Sequence, residues 1–558
     1  MAIRVPRSNI GPWAKKMIDE CFVSVEPRRD LYQTWISYYY NGSADGGQAI
    51  YNRVYSHIDR LASFLYSPTE TRFILQADAA EPAQVHDLMQ LGNRRLNSEI
   101  NRTNTDLAFA SALNWALVKG CCLVKQCWES DGLAPYVIQP ELFGVLREDL
   151  ADLDKQEAFC EATYLTKSAF ERTLGDEMDP RERNRLLDIA DAYLKPHADD
   201  NPLAKDYLLN IVVGGVNPVS TVTSQGNAMV QISSTPMAML AKTVAARLLR
   251  VDELWVLDKE KKDWVTIRML GDEPVGGELK LVNAGFVEHE HPYTKVCPNE
   301  TEGYFWGMSE VAQIYKLQER LNSQIDTLQK VTSLKADPPK AFVGFTGITE
   351  QKYNALRTPG GYIYEENPNA KVQALPPEVP PELLIETIRE TVNYFDDTAG
   401  FTPILMGQGE TGVRSQAQAS TLARNSSPRM RDRALLVERQ CVELGEFSLK
   451  LMTAKEAELR KTEMGQTMLL ANLFQYDFNT SIDAHSSSPA FQEDARNLAI
   501  MLRRLGVIDD ESTLMLTHPP HEDTLILKAK QKAAAQAQLM AQHPELALGK
   551  KPGPGKGK

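Results

Sequence analysis

Nowhere in its 558 residues does the chain carry a run of about 18 apolar side chains, the length a membrane-crossing helix needs. Its opening, MAIRVPRSNIGPWAKKMIDE, lacks the apolar core of a secretory signal. Both absences lead to the expectation of a soluble protein made in the cytoplasm, with no membrane partner. A basic excess is also lacking. The formal net charge is −13 and the pI about 5.4, the wrong sign for a chain that grips nucleic acid by its phosphates over a broad surface.

Disulfide, metal and catalytic signatures are equally scarce. The cysteine count is seven, an odd number. Cys121, Cys122 and Cys127 lack the CxxC spacing of a zinc ribbon, and all seven are expected to be reduced, with that trio acting as small buried hydrophobes. His289 and His291 stand two apart with no third ligand suggested nearby, so they are expected to be ordinary exposed histidines. His518 and His521 flank Pro519-Pro520, which a turn explains. GxSxG, HExxH and an intact phosphate loop are missing. The segment GQGETG at 407–412 has no Gly-Lys-Ser/Thr end and follows a helical pattern instead of a strand. Asp396 and Asp397 read as solvated acids at a helix end. No catalytic residue, metal site or cofactor is therefore expected, and the chain is expected not to be an enzyme.

What is present is core-forming material, with 43% hydrophobic residues, in an α+β, predominantly helical pattern without a regular βαβ rhythm. Tyr51, Val54, Tyr55, Ile58, Leu61, Ala62 and Leu65 recur at threes and fours and predict a helix that ends before Ser67-Pro68. Helices are also predicted over 106–119 and 179–194, and strands broken by Pro140 over 136–146. The segment PMAMLAKTVAARLLR, 236–250, reads as a helix. It leads into VDELWVLD, a KEKKD turn and WVTIRML, which read as a β-hairpin, followed by a third extended run, ELKLVNAGFVEHE.

A long amphipathic helix follows, with Ile314, Leu317, Leu321, Leu328 and Val331 on one seam, and it stops at Asp337-Pro338-Pro339. Its four bases and four acids leave it neutral towards DNA. Short strands, AFVGF and GGYIYEE, and a proline-rich connector lead to a helix with Leu384, Ile388, Val392 and Phe395 on one face and Gly400 as its stop. Ser415 and Gln418 have capping-box spacing, predicting a new helix near Gln416 that Pro428 kinks and that runs to about 461. Two more helices follow, and the GKKPGPGKGK tail is expected to be disordered. One charge feature breaks the acidic background. Between 414 and 433 there are five arginines, Arg414, Arg424, Arg429, Arg431 and Arg433, against one acid, Asp432. They read either as an intersubunit salt-bridging face or as a contact for DNA phosphates.

The order of these parts resembles the portal, or head-to-tail connector, protein of tailed bacteriophages. YFWGMSEVAQIYKLQERLNSQIDTLQKVTSLKADPPKAFV looks like that family's second stem helix with its proline stop. GFTPILMGQGETGVRSQAQASTLARNSSPRM is similar to its tunnel-loop region. The resemblance covers about 230–455, more weakly the first 220 residues.

It implies a wing over 1–230 with 340–400, stem helices over 231–250 and 301–337, and a clip, a small β unit, over 251–300. A tunnel loop over 401–415 follows, then a long kinked helix over 416–461, a helical crown over 462–545 and a disordered tail over 546–558. Met406, Gln408, Glu410, Thr411 and Arg414 would line a DNA channel. Portal subunits form a ring of about twelve at one capsid vertex of the virion, assembled in the host cytoplasm. The implied partners are further copies of the chain, double-stranded viral DNA, the terminase large subunit, a tail adaptor, and the major capsid and scaffolding proteins. A conduit should avoid tight phosphate binding, which an acidic protein does. The Trp255 and Trp264 β unit is expected to be completed by neighbouring subunits. Two rival readings stand beside this one: another capsid or tail adaptor scaffold, and a nucleic-acid-processing enzyme of the packaging machinery.

Overall fold

Chain order builds the body from both ends. The computed structural model describes residues 3–6, 9–43, 51–68, 71–77, 83–129, 132–174, 179–196, 247–260, 262–275, 280–281, 290–336, 338, 340–345, 367–375, 380–399, 428–459, 473–474, 476, 478–482, 498–505, 508, 513–514 and 528. The tunnel-loop residues Met406, Gln408, Glu410, Thr411 and Arg414, with Arg424, Gly400 and the Ser415 cap, lie outside these. So do His289, His518, His521, GGYIYEE and the tail.

Helices α1 (Ile10–Val23), α2 (Arg29–Asn41) and α3 (Arg53–Leu65) precede strand β1 (Phe73–Ala77), and α4 (Ala83–Thr103) and α5 (Thr105–Lys119) follow it. Asn52 caps α3 by accepting the Tyr55 N–H at 3.1 Å, a standard way to satisfy a helix's first donors. The helix buries Val54, His57, Ile58, Leu61 and Leu65, whereas Tyr51 and Tyr55 are exposed. The buried face is thus rotated from the one predicted, because His57 is inside. With α4, α5 and later helices these residues make the largest apolar core.

Strands β2 (Cys122–Glu129) and β3 (Gly132–Ile138) form an antiparallel pair, and Pro140 starts a single turn before β4 (Phe143–Val145). Next come β5 (Ala158–Leu165), α6 (Lys167–Thr173), α7 (Pro180–Tyr193) and the short β6 (Lys195–Pro196). Strand β7 (Arg247–Asp258) and β8 (Asp263–Leu270) make the predicted hairpin, edged by β9 (Glu273–Pro274) and β10 (Lys280–Leu281). Residues 247–250, expected to be helical, belong to β7. There, pairing with β5 from Leu165↔Leu249 to Ala158↔Val256 overrides local helix propensity, as ladder contacts commonly do.

That pairing corrects a second expectation. The hairpin is not an isolated unit awaiting a neighbour, because the same chain completes it in the order β10-β8-β7-β5-β4. Trp255 is fully buried and Trp264 nearly so, packed with Phe143, Phe159, Tyr293 and α1. Phe159 and Trp255 stack with centroids 6.0 Å apart. Such rings each contribute about 1.5–3 kcal/mol by leaving water. Gly144 on β4 lets α1 approach, since a Cβ there would lie 2.7 Å from the Cys21 carbonyl oxygen.

A second sheet has the order β11-β2-β3, with β11 spanning Tyr293–Val296. Between the sheets sits a charged knot. Glu161 and Glu253 are direct cross-strand partners, a repulsive pairing by itself. Lys125 from the facing sheet donates to both, at 2.7 and 2.8 Å, and Arg268 donates to Glu253 at 3.0 Å.

The long helix α8 (Glu310–Ala336) ends just before Asp337-Pro338, as predicted. Strands β12 (Lys340–Val343) and β13 (Lys371–Ala374) pair antiparallel, and α9 (Pro381–Ala399) runs back along α8. Helix α9 is packed along α8; residues 231–246 of the other expected stem helix lie outside the described residues. Helix α10 (Pro428–Leu459) starts at Pro428. Proline is welcome in a first turn, where its missing N–H has no partner to lose; the helix expected before it, over 416–427, lies outside the described residues. Finally β14 (Phe478–Ile482) pairs with β1.

Candidate functional site: the base of a projecting arm

Helices α8 and α9 with the β12–β13 hairpin form an arm. The buried residues of α8 are Glu310, Val311, Ile314, Gln318 and Leu321, all in its first half. Beyond Leu321 the helix is covered only in part, and Leu328 and Val331 of the predicted seam are half-buried. Strand β13 is exposed along its whole length.

Polar side chains anchor the arm's base. Ser309 accepts the Ala312 N–H at 3.2 Å and so caps α8. Glu310, in the first turn, benefits from the positive end of the helix dipole. Its Oε2 accepts from Arg433 of α10 at 2.9 Å and from Asn299 and Gln313 at 3.2 Å each. Its Oε1 lies 3.5 Å from His57 Nε2 of α3. Two turns up, Gln318 accepts the Arg53 N–H at 3.0 Å and donates to the Tyr51 carbonyl at 2.9 Å. The Arg53 guanidinium grips both oxygens of Asp396 on α9, at 2.6 and 2.9 Å. Asn322 donates to the Gly42 carbonyl at 2.8 Å. Three helices of the body thereby hold both helices of the arm.

Helix α10 is latched to the β11 sheet by the same kind of device. Gln440 accepts the Cys297 N–H at 3.0 Å and donates to the Cys297 carbonyl at 3.1 Å. A side-chain amide here stands in for a strand edge.

These placements revise several candidate residues. Arg433 was expected at DNA or at a neighbouring subunit; it is 5% exposed and its guanidinium is engaged by Glu310 of its own chain. Arg429 and Arg431 lie in the first turn of α10, their side chains outside the described residues. Asp396 is not a solvated helix-end acid but the partner of Arg53, whereas Asp397 is exposed. His291 is buried beside Phe159 and Trp264 and 2.9 Å from Asp154. Cys121 and Cys122 are fully buried and Cys127 half-buried, and all seven cysteines are unpaired.

Burial pushes the thiols of Cys122 and Cys127 up to about 12 and that of Cys297 up to about 11. Thiols held so high are poor nucleophiles, because the thiolate is the reactive form. Among the described residues no group of three or more His, Cys, Asp or Glu could hold a metal ion, and no helix is long and apolar enough to cross a membrane. The geometry at the arm's base ties α8 and α9 to the body. Sequence reasoning missed Glu310, His57 and Gln440 as anchors. The one available signal was His57 itself, which interrupts the apolar stripe of α3 between Val54 and Ile58.

No family model matches this sequence, and no curated protein does. Among solved structures, a chain from the virion of a native gene transfer agent particle is similar at 10% identity and a TM-score of 0.36, covering 88% of this chain and 93% of its own. A chain from the neck of an empty gene transfer agent particle, computed with C6 symmetry, is similar at 11% identity and a TM-score of 0.37, with the same coverage. TM-scores this low leave both fold and role to be argued from this chain's own residues.

Proposed function

We propose that this chain is the subunit of a portal ring, seated at one capsid vertex of a virion, through which double-stranded viral DNA is packaged and ejected. The observation that carries the reading is the arm: two antiparallel helices with a strand pair at their far end, anchored at the base and carrying exposed apolar side chains at and near the tip. Leu383 is 53% exposed, Val343 56% and Val372 48%. A two-stranded hairpin on two helices is marginal alone, and exposed apolar side chains clustered on one such projection call for a partner. Repetition of the chain around an axis supplies it with the same surface each time.

The arm also fits the helix, β module, helix order of the portal resemblance better than the assignment read from sequence. In this reading α8 and α9 are the stem, residues 337–380 the clip, and the body with its two sheets the wing. Residues 401–427 then lead from the stem into α10, which keeps the tunnel-loop assignment of Met406, Gln408, Glu410, Thr411 and Arg414. The net charge of −13 suits a conduit that must release a polyanion at every step. The chain acts without catalysis or cofactor, and the clip docks the terminase large subunit during packaging and a tail adaptor afterwards. Capsid and scaffolding proteins surround the wing.

Electron microscopy of the purified chain in negative stain tests the reading. Closed rings with a central hole wide enough for duplex DNA support it. Monomers, sheets or solid discs overturn it in favour of another capsid or adaptor scaffold.

A further inference from the structure

Helix α8 carries an exposed stripe at successive spacings of four and three residues: Lys316, Arg320, Ser323, Thr327, Lys330 and Leu334. Such spacing places them on one face, which holds three bases and no acid. Glu319 and Asp326 flank the stripe, and Glu319 is already hydrogen-bonded by Tyr38. Helix α9 carries the opposite. Glu382, Glu386, Glu390, Asn393 and Asp397 share an exposed face turned away from Phe395 and Thr391, the buried residues of α9. That face holds four acids, with Arg389 at its margin. The arm therefore has a basic outer side on one helix and an acidic outer side on the other.

Two contacts give the vertical register. Lys335 lies 3.7 Å from Glu382 near the tip, and at the base Arg53 touches both Gln318 and Asp396. Counting along antiparallel helices from the Lys335–Glu382 contact puts Lys330 within one residue of the level of Glu386 and Arg320 level with Asp397, and counting from the base contact agrees to within three residues. Arg320, Lys330, Glu386 and Asp397 make no ion pair with the described residues of their own chain.

We propose that the arms of neighbouring copies pack side by side through these stripes, α8 of one copy against α9 of the next, with Lys330 facing Glu386 and Arg320 facing Asp397. This rests on the ring reading and adds its register. Rotation about an axis parallel to the arm keeps heights, so groups that are level within one chain are level across the contact. Because two different faces meet, the contact is heterologous and closes only as a ring or runs on as a filament. Complementary charge also fixes orientation and excludes contacts between two α9 faces.

Charge reversal tests this. One variant carries Glu386→Lys and Asp397→Lys, making both α9 contact positions basic like their α8 partners; the other carries Arg320→Glu and Lys330→Glu, making both α8 contact positions acidic like their α9 partners. Each is expected to fold with an unchanged thermal melt and to sediment as a monomer where the unaltered chain forms rings at physiological salt. Their equimolar mixture should assemble again, into alternating rings with an even number of subunits visible by native mass spectrometry. The fourfold variant should assemble alone. If the separate variants form rings as the unaltered chain does, or the mixture stays monomeric, the register is wrong while the ring reading stands. If the unaltered chain never assembles, both fall.

Discussion

Glu310 and Arg433 are 123 residues apart in sequence and 2.9 Å apart in the fold, in a site nearly closed to water. A pair so buried gains less from its attraction than it loses when one partner is removed, because the survivor is an uncompensated charge. Arg433→Met is expected to cost about 3–5 kcal/mol, read from urea unfolding midpoints. Arg433→Met with Glu310→Met should recover much of that loss. Equal losses in the single and double variants would show that packing, not charge, dominates.

Lys125 offers a pH-dependent test. Burial works against an ionised Glu253, but Lys125 and Arg268 outweigh it and hold the carboxyl down from 4.5 to about 2. A depressed carboxyl contributes stability that is complete above its unfolded value and is lost as pH falls towards the folded one. Between about pH 4.5 and 2 the native protein should therefore weaken through this group. Lys125→Met leaves Glu161 and Glu253 opposed, so its deficit should be several kcal/mol near pH 7 and should narrow near pH 3 as Glu253, no longer held down by Lys125, takes up a proton. A deficit that stays constant across that range would contradict the account.

Gly120 ends α5 with φ of +104°, and a Cβ there would sit 2.6 Å from the Trp306 carbonyl oxygen. Gly120→Ala is expected to destabilise by at least about 1 kcal/mol through backbone strain and clash together. Calorimetry checks this, and an unchanged midpoint would refute the close approach.

Leu383 is exposed on α9. Leu383→Ser should leave the unfolding free energy of the separate chain within about 0.5 kcal/mol while weakening assembly. Sedimentation velocity over a dilution series measures the second effect. A variant that assembles as tightly as the parent would remove Leu383 from the contact.

Local pattern made a good part of this fold legible. The α3 and α5 helices, the β7–β8 hairpin and the Pro338 stop of α8 all follow from periodicity, caps and proline. What stayed hidden depends on distant partners. Residues 247–250 favour a helix by propensity, and pairing with β6 at 247–248 and with β5 at 249–250 makes them a strand. KVQA of β13 is four exposed residues without a buried face, so alternation had nothing to report. At the candidate site, counting charges between 414 and 433 singled out Arg433 but gave it an outward role. Its partner Glu310 lies in another helix, and composition carries no trace of that pairing.

Strand β1 has an unusual pair of edges. On one side Asn97 and Asn93 of α4 accept the N–H groups of Phe73 and Leu75, at 2.9 and 2.6 Å. On the other side is β14, which begins at residue 478. Ribosomes add about 5–20 residues per second, so roughly 20–80 s separate the synthesis of β1 from that of its mate. Throughout that interval the strand can be held from the α4 side, by the two asparagines and by Leu75 packed beside Gly92, while its open edge faces every other nascent chain nearby. Among the described residues the last strand in the chain thus pairs with β1, which makes synthesis past residue 482 a condition for a sealed edge.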